Sequence, residues 1–165
     1  MGSQPVATSH SNRLIEELAA WFHNLICEGK EPLKAFTGYK GDGSQFVCIL
    51  SGLGLERGDD LDFMHLVIKA EDCLAFAMSM HVVTEDNKEK YGFLSAQEGE
   101  YWYATFEPSN AGLKLLKSRR SETPMIFFHE ILTRKLYDED NSERLLGIWA
   151  AIRERIFWRR PEPQS

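Results

Sequence analysis

The sequence predicts an α+β domain, a mainly antiparallel sheet of about five to seven strands with N-terminal, middle and C-terminal helices packed on it. Three observations carry that expectation. Residues 12–28 place apolar side chains at helical period, the stretch from Cys73 to Glu107 alternates at period two between short polar turns, and residues 142–157 return to helical period. With 165 residues, 43% hydrophobic and 27% charged, the chain has the composition of one folded domain. That domain is expected over 12–158, between disordered tails at 1–11 and 159–165.

In the first helix Leu14, Ile15, Leu18, Trp21, Phe22, Leu25 and Ile26 form one broad stripe. Ser11 or Asn12 can cap its start, and Gly29 and Pro32 end it. His23 falls on the opposite, charged face and is expected to meet solvent. Two β-prone runs follow, Ala35–Lys40 and Gln45–Ser51, joined by Gly41-Asp42-Gly43-Ser44, whose glycines permit a hairpin turn. The same glycines do not make a phosphate loop, because no Lys-Ser/Thr opens a helix after them.

Asp59 and Asp60 can cap a middle helix over Leu61–Glu71, with Leu61, Met64, His65 and Ile68 sharing a face. The rival is a strand alternating Phe63, His65 and Val67 against Met64, Leu66 and Ile68. From Cys73 the pattern is β. In CLAFAMSMHVV the large residues Leu74, Phe76, Met78, Met80 and Val82 alternate with the small or polar Cys73, Ala75, Ala77, Ser79 and His81. The large face is expected to build the core, and the bare face to take a closely packed helix against Ala75 and Ala77. Lys90–Gln97 and Tyr101–Glu107 extend an antiparallel meander.

Leu113–Arg120 reads equally as a strand or a helical turn. Pro124 introduces a strand over Met125–Leu132 that is apolar on both faces. The last helix, Ser142–Phe157, buries Leu145, Ile148, Trp149, Ile152 and Ile156, and its basic end complements the helix dipole.

Several function classes are excluded or disfavoured. The longest apolar runs are broken well short of the roughly 20 residues that span a bilayer, so no membrane association is expected. The first ten residues lack the charged and apolar regions of a secretory signal. Cys27, Cys48 and Cys73 are odd in number and far apart, which predicts neither a disulfide framework nor a zinc site and suits a reducing cytoplasm. A net charge of −6 argues against a generic nucleic-acid binder.

Ser79 and His81 are the candidate ligand-binding residues, since small neighbours leave room beside a histidine able to act as a base or pH-sensitive contact. Cys73 is a poor nucleophile, because Glu71 and Asp72 raise a thiol pKa. His65, His81 and His129 show no metal-ligand spacing. Tyr101, Trp102 and Tyr103 make a strand aromatic on both faces, the candidate surface for a protein partner. The sequence reading is therefore a non-catalytic cytoplasmic binding or regulatory module acting through protein contact or self-association, with no cofactor. One alternative is a small enzyme or ligand-binding domain with a pocket at His81. A second is single-stranded nucleic-acid binding by residues 101–106, with Lys114, Lys117, Arg119 and Arg120 as phosphate contacts.

Overall fold

The computed structural model describes residues 10–56, 58–97, 99–123, 131, 136 and 138–159. Among them run α1 (His10–Cys27), β1 (Ala35–Lys40), β2 (Gln45–Ile49), α2 (Asp59–Ala70), β3 (Cys73–Val83), β4 (Glu89–Gln97), β5 (Glu100–Ser109), β6 (Gly112–Ser121), α3 (Glu139–Ile152) and β7 (Phe157–Arg159). The strands form one seven-stranded sheet in the order β6-β5-β4-β3-β1-β2-β7, and neighbours pair antiparallel throughout. The α+β architecture and the three helix positions are as the sequence predicts, and no helix is long and apolar enough to cross a membrane among the described residues.

The sheet separates two apolar layers. On one face Phe36, Phe46, Met78 and Leu94 meet Phe63, Met64 and Val67 of α2 and Leu145 and Trp149 of α3. On the other, Leu14, Ile15, Leu18, Ala19 and Phe22 of α1 pack on Ala75, Ala77, Tyr91, Phe93 and Ala104. The bare face of β3 is thus covered by α1, and Ala75 and Ala77 are essentially inaccessible. Small side chains there let a helix carrying Phe22 approach the sheet without a void. The large face holds in its centre, where Phe76 and Met78 are buried, but not at its start. A β-bulge pairs Tyr39 with Ala75 and Lys40 with Cys73, so Leu74 is left without a partner on β1 and is 53% exposed. Cys73, expected on the bare face, packs against the first core instead.

Other boundaries also differ from expectation. α1 runs from His10, so Ser11 and Asn12, expected to cap its start, lie within its first turn, and the fully buried Ser11 donates its amide to Gln97 Oε1. α2 is a helix rather than the rival strand, but Gly58 occupies its cap position and no side chain caps it. Asp59 instead accepts from the Glu56 amide, from Asn141 and from Arg144, tying α2 to α3. The buried positions of α2 are Asp59, Phe63, Met64, His65 and Val67, with Leu61 and Ile68 half-buried. Residues 113–120 are a strand.

α3 starts on a capping bond from the Asn141 amide to the Asp138 side chain and stops at Ile152, not Phe157. The chain then turns and adds β7 to β2, with Phe46 opposite Trp158. Of the strand expected over Met125–Leu132, only Ile131 lies within the described residues, and it is helical and buried. The expected tails fall largely outside the described residues, although His10 and Ser11 belong to α1 and Arg159 to β7.

Candidate functional site

α1 crosses the sheet over β3 to β6 and makes few contacts with β1. On this face the pairing of Thr37 with Val47 and of Tyr39 with Gln45 presents four side chains from β1 and β2 that α1 covers only at its margin. The result is a cleft of about 350 Å³ between α1, the β1–β2 hairpin and Arg159 of β7. Leu18, Trp21 and Val47 form its apolar walls, and Glu17, Thr37, Gln45 and Arg159 supply the polar ones.

The polar groups are organised. Gln45 is almost fully buried, and its amide nitrogen donates to Glu17 Oε2 at 2.6 Å and to Thr37 Oγ1 at 3.3 Å. Its carbonyl oxygen accepts from Arg13 at 3.2 Å. Thr37 donates in turn to the Phe46 carbonyl at 2.7 Å. Glu17 Oε1 receives Arg159 at 2.9 Å and Arg13 at 3.5 Å. Two guanidiniums therefore converge on one carboxylate, Arg159 from the cleft wall and Arg13 from outside it, where it lies over the Tyr39 ring. The Arg159 side chain remains 53% exposed, so it keeps donors turned to solvent. A cavity of this size with apolar walls and a few fixed polar groups has the ordinary make-up of a small-molecule site.

The residues singled out from sequence lie elsewhere. Ser79 and His81 do line a common concavity, of about 280 Å³, with Phe22, Pro32, Lys34 and Tyr91. Ser79 and His81 are both already engaged. Ser79 Oγ accepts from the Ala35 amide at 2.9 Å and donates to the Ala35 carbonyl at 3.3 Å, which ties β3 to the start of β1. His81 Nε2 meets Glu89 Oε1 at 3.0 Å on the exposed end of the β3–β4 ladder.

His81, Cys73 and His65 do not converge. His65 is buried on α2 with Nδ1 donating to the Ile131 carbonyl at 2.6 Å. His129 lies outside the described residues. Cys73 is on the α2–α3 side, where burial and then the charge of Glu71 push its thiol up to about 12. Among the described residues no group of three His, Cys, Asp or Glu side chains could hold a metal ion. His23, expected in solvent, accepts the Leu113 amide at Nδ1 and fastens α1 to β6, the ring filling the space that any side chain at Gly112 would need.

Tyr101, Trp102 and Tyr103 are all half-buried. Tyr101 and Tyr103 pack on the first core and Trp102 on the second, where its indole donates to Glu100. The cleft residues escaped sequence reading for identifiable reasons. Thr37 and Gln45 are polar residues inside β-prone runs, a signal that was there to be used. Trp21 sits at the edge of the α1 stripe and reads as core, and Arg159 falls where a tail is expected. Comparison of the chain with family models, with curated proteins and with solved structures finds no match.

Proposed function

We propose that the chain is a non-catalytic binding module whose ligand site is the cleft between α1 and the β1–β2 hairpin. The ligand is a small organic molecule with an apolar or aromatic body and one anionic group. The carrying observation is the pairing of the apolar wall of Leu18, Trp21 and Val47 with the half-exposed guanidinium of Arg159, held on Glu17, whose carboxylate is also bonded by Arg13 from outside the lining. A carboxylate on the ligand can take the donors of Arg159 that face solvent, while Glu17, already bonded to two guanidiniums, offers little to a cation. Gln45 and Thr37, fixed by their mutual bonds, hold the floor of the site in one geometry.

The cavity at His81 is the second reading, favoured by its volume and by Tyr91 and Lys34 on its wall. It ranks below the cleft because Ser79 is spent on β1 and His81 on Glu89. The free thiols of Cys27, Cys48 and Cys73 support a reducing, cytoplasmic setting for either.

Thermal denaturation in the presence of benzoate, indole-3-acetate and their matched amines tests the proposal. A ligand of the native state raises the midpoint with concentration by mass action. The carboxylates should raise it and the amines should not. Equal effects from both, or none from the carboxylates, would remove the charge argument.

A further inference from the structure

We infer that the outer edge of β6 is a docking site for an extended, acidic segment of a partner protein, which joins the sheet as an additional strand. Four observations lead there. Among the described residues β6, ten residues long, stands at the end of the sheet and pairs with β5 alone, its Leu113 amide being taken by His23 of α1. The opposite edge is closed by β7, only three residues long, and short edge strands are a common protection against unwanted pairing. Leu115 and Leu116 on β6 are 54% and 43% exposed, side by side at a register shift that leaves Leu116 without a partner on β5. Finally, β6 carries Lys114, Lys117, Arg119 and Arg120 and no acidic residue, in a chain whose net charge is −6.

The charges choose among occupants. A second copy pairing through β6 would set these cations against their own kind, and like charges facing across a ladder are destabilising. An acidic strand reverses the sign of the contacts at Lys114, Lys117 and Arg119, while Arg120 is already paired with Glu100 of β5. Strand addition supplies main-chain hydrogen bonds for affinity and alternate side chains for selectivity, so apolar residues on the partner segment would meet Leu115 and Leu116 while carboxylates meet the cations. A single-stranded nucleic acid would satisfy the cations but would leave the leucines and the backbone edge unused, and its many phosphates would meet the acidic remainder of the chain.

The probe is a labelled peptide of alternating valine and glutamate, matching β6 in length, followed by fluorescence anisotropy on the full chain. Three companions accompany it: a valine–lysine peptide, the acidic peptide with alternate amides N-methylated, and oligo-thymidine. The acidic peptide should bind, the lysine and N-methylated peptides should not, and a Lys117→Glu/Arg119→Glu double variant should weaken binding about tenfold or more. Both positions are exposed, and circular dichroism verifies that the variant stays folded. Failure of the acidic peptide to bind would overturn the inference. So would undiminished binding by the N-methylated peptide, preference for the oligonucleotide, or a dimer in sedimentation that Leu115→Asp dissolves.

Discussion

The indole of Trp149 on α3 donates a 2.9 Å hydrogen bond to Oε2 of Glu71, the residue that ends α2. Arg153 donates to both oxygens of the same carboxylate and Lys40 of β1 to one, so a side chain with 7% relative exposure joins two helices and the sheet. Trp158 of β7 roofs the cluster, with the Arg153 and Lys40 cations 5.3 and 5.7 Å from its ring centroid. Burial alone would favour a neutral Glu71. The bonds from Arg153, Trp149 and Lys40 win, and hold its pKa at about 2 against an ordinary 4.5.

That difference sets a pH window. The unfolded chain takes up the proton near pH 4.5 and the folded chain only near 2, so the contribution is complete above the first value and is lost as pH falls through the second. Glu71→Gln should cost about 1.5 to 3 kcal/mol at neutral pH. In urea melts, the stability gap between the wild-type protein and this variant should shrink as pH falls below 4.5. A gap that stays constant down to pH 2 would show that the charge of Glu71 contributes nothing.

Ala77 lies on β3 directly beneath α1, fully inaccessible. Ala77→Leu adds volume where none is free and should destabilise the fold by about 1 to 3 kcal/mol, read from the urea midpoint. The same substitution would be neutral if the bare face of β3 were an open recess.

Gly38 is the floor under the Phe46 ring. A Cβ there would lie 2.6 Å from two Phe46 ring atoms and 2.9 Å from Cys73 Sγ, while the ring is itself wedged against Phe36, Trp149 and Trp158. Replacing glycine by alanine inside a strand ordinarily gains about 0.5 to 1 kcal/mol of backbone entropy. Overpacking costs about 1 to 3 kcal/mol and should prevail, so Gly38→Ala is expected to lower the thermal midpoint.

The three cysteines should react in a fixed order. Burial pushes the Cys48 thiol up to about 12, and burial with the Glu71 charge does the same for Cys73. Cys27 is exposed at the end of α1. Iodoacetamide at neutral pH, followed by peptide mass spectrometry, should label Cys27 alone until the chain is unfolded. Equal labelling of Cys73 in the native protein would contradict its placement against the first core.

Period and turn chemistry made most of this fold readable in advance. The α1 stripe, the hairpin at Gly41–Ser44 and the two unlike faces of β3 each follow from local pattern, and the covering of Ala75 and Ala77 by a helix follows from side-chain size. What failed was set by tertiary contacts that no local pattern encodes. The bulge at Tyr39 and Lys40 turns Leu74 outward, and Trp158 draws residues 157–159 onto β2 in place of a longer helix. The cleft was hidden for the same reason. Glu17, Gln45 and Arg159 come from three separate stretches, and each reads alone as an ordinary surface or strand residue.

The most direct measurement is a nitrogen–proton correlation spectrum titrated with benzoate, read at the Trp21 indole and the Gln45 carboxamide in the wild-type protein and in Arg159→Glu. Saturable shifts at both groups that vanish in the variant, with the remainder of the spectrum unmoved, are the predicted result. Shifts absent from both groups, or unchanged by reversing the charge at Arg159, would contradict the assignment of the cleft as an anion-selective ligand site.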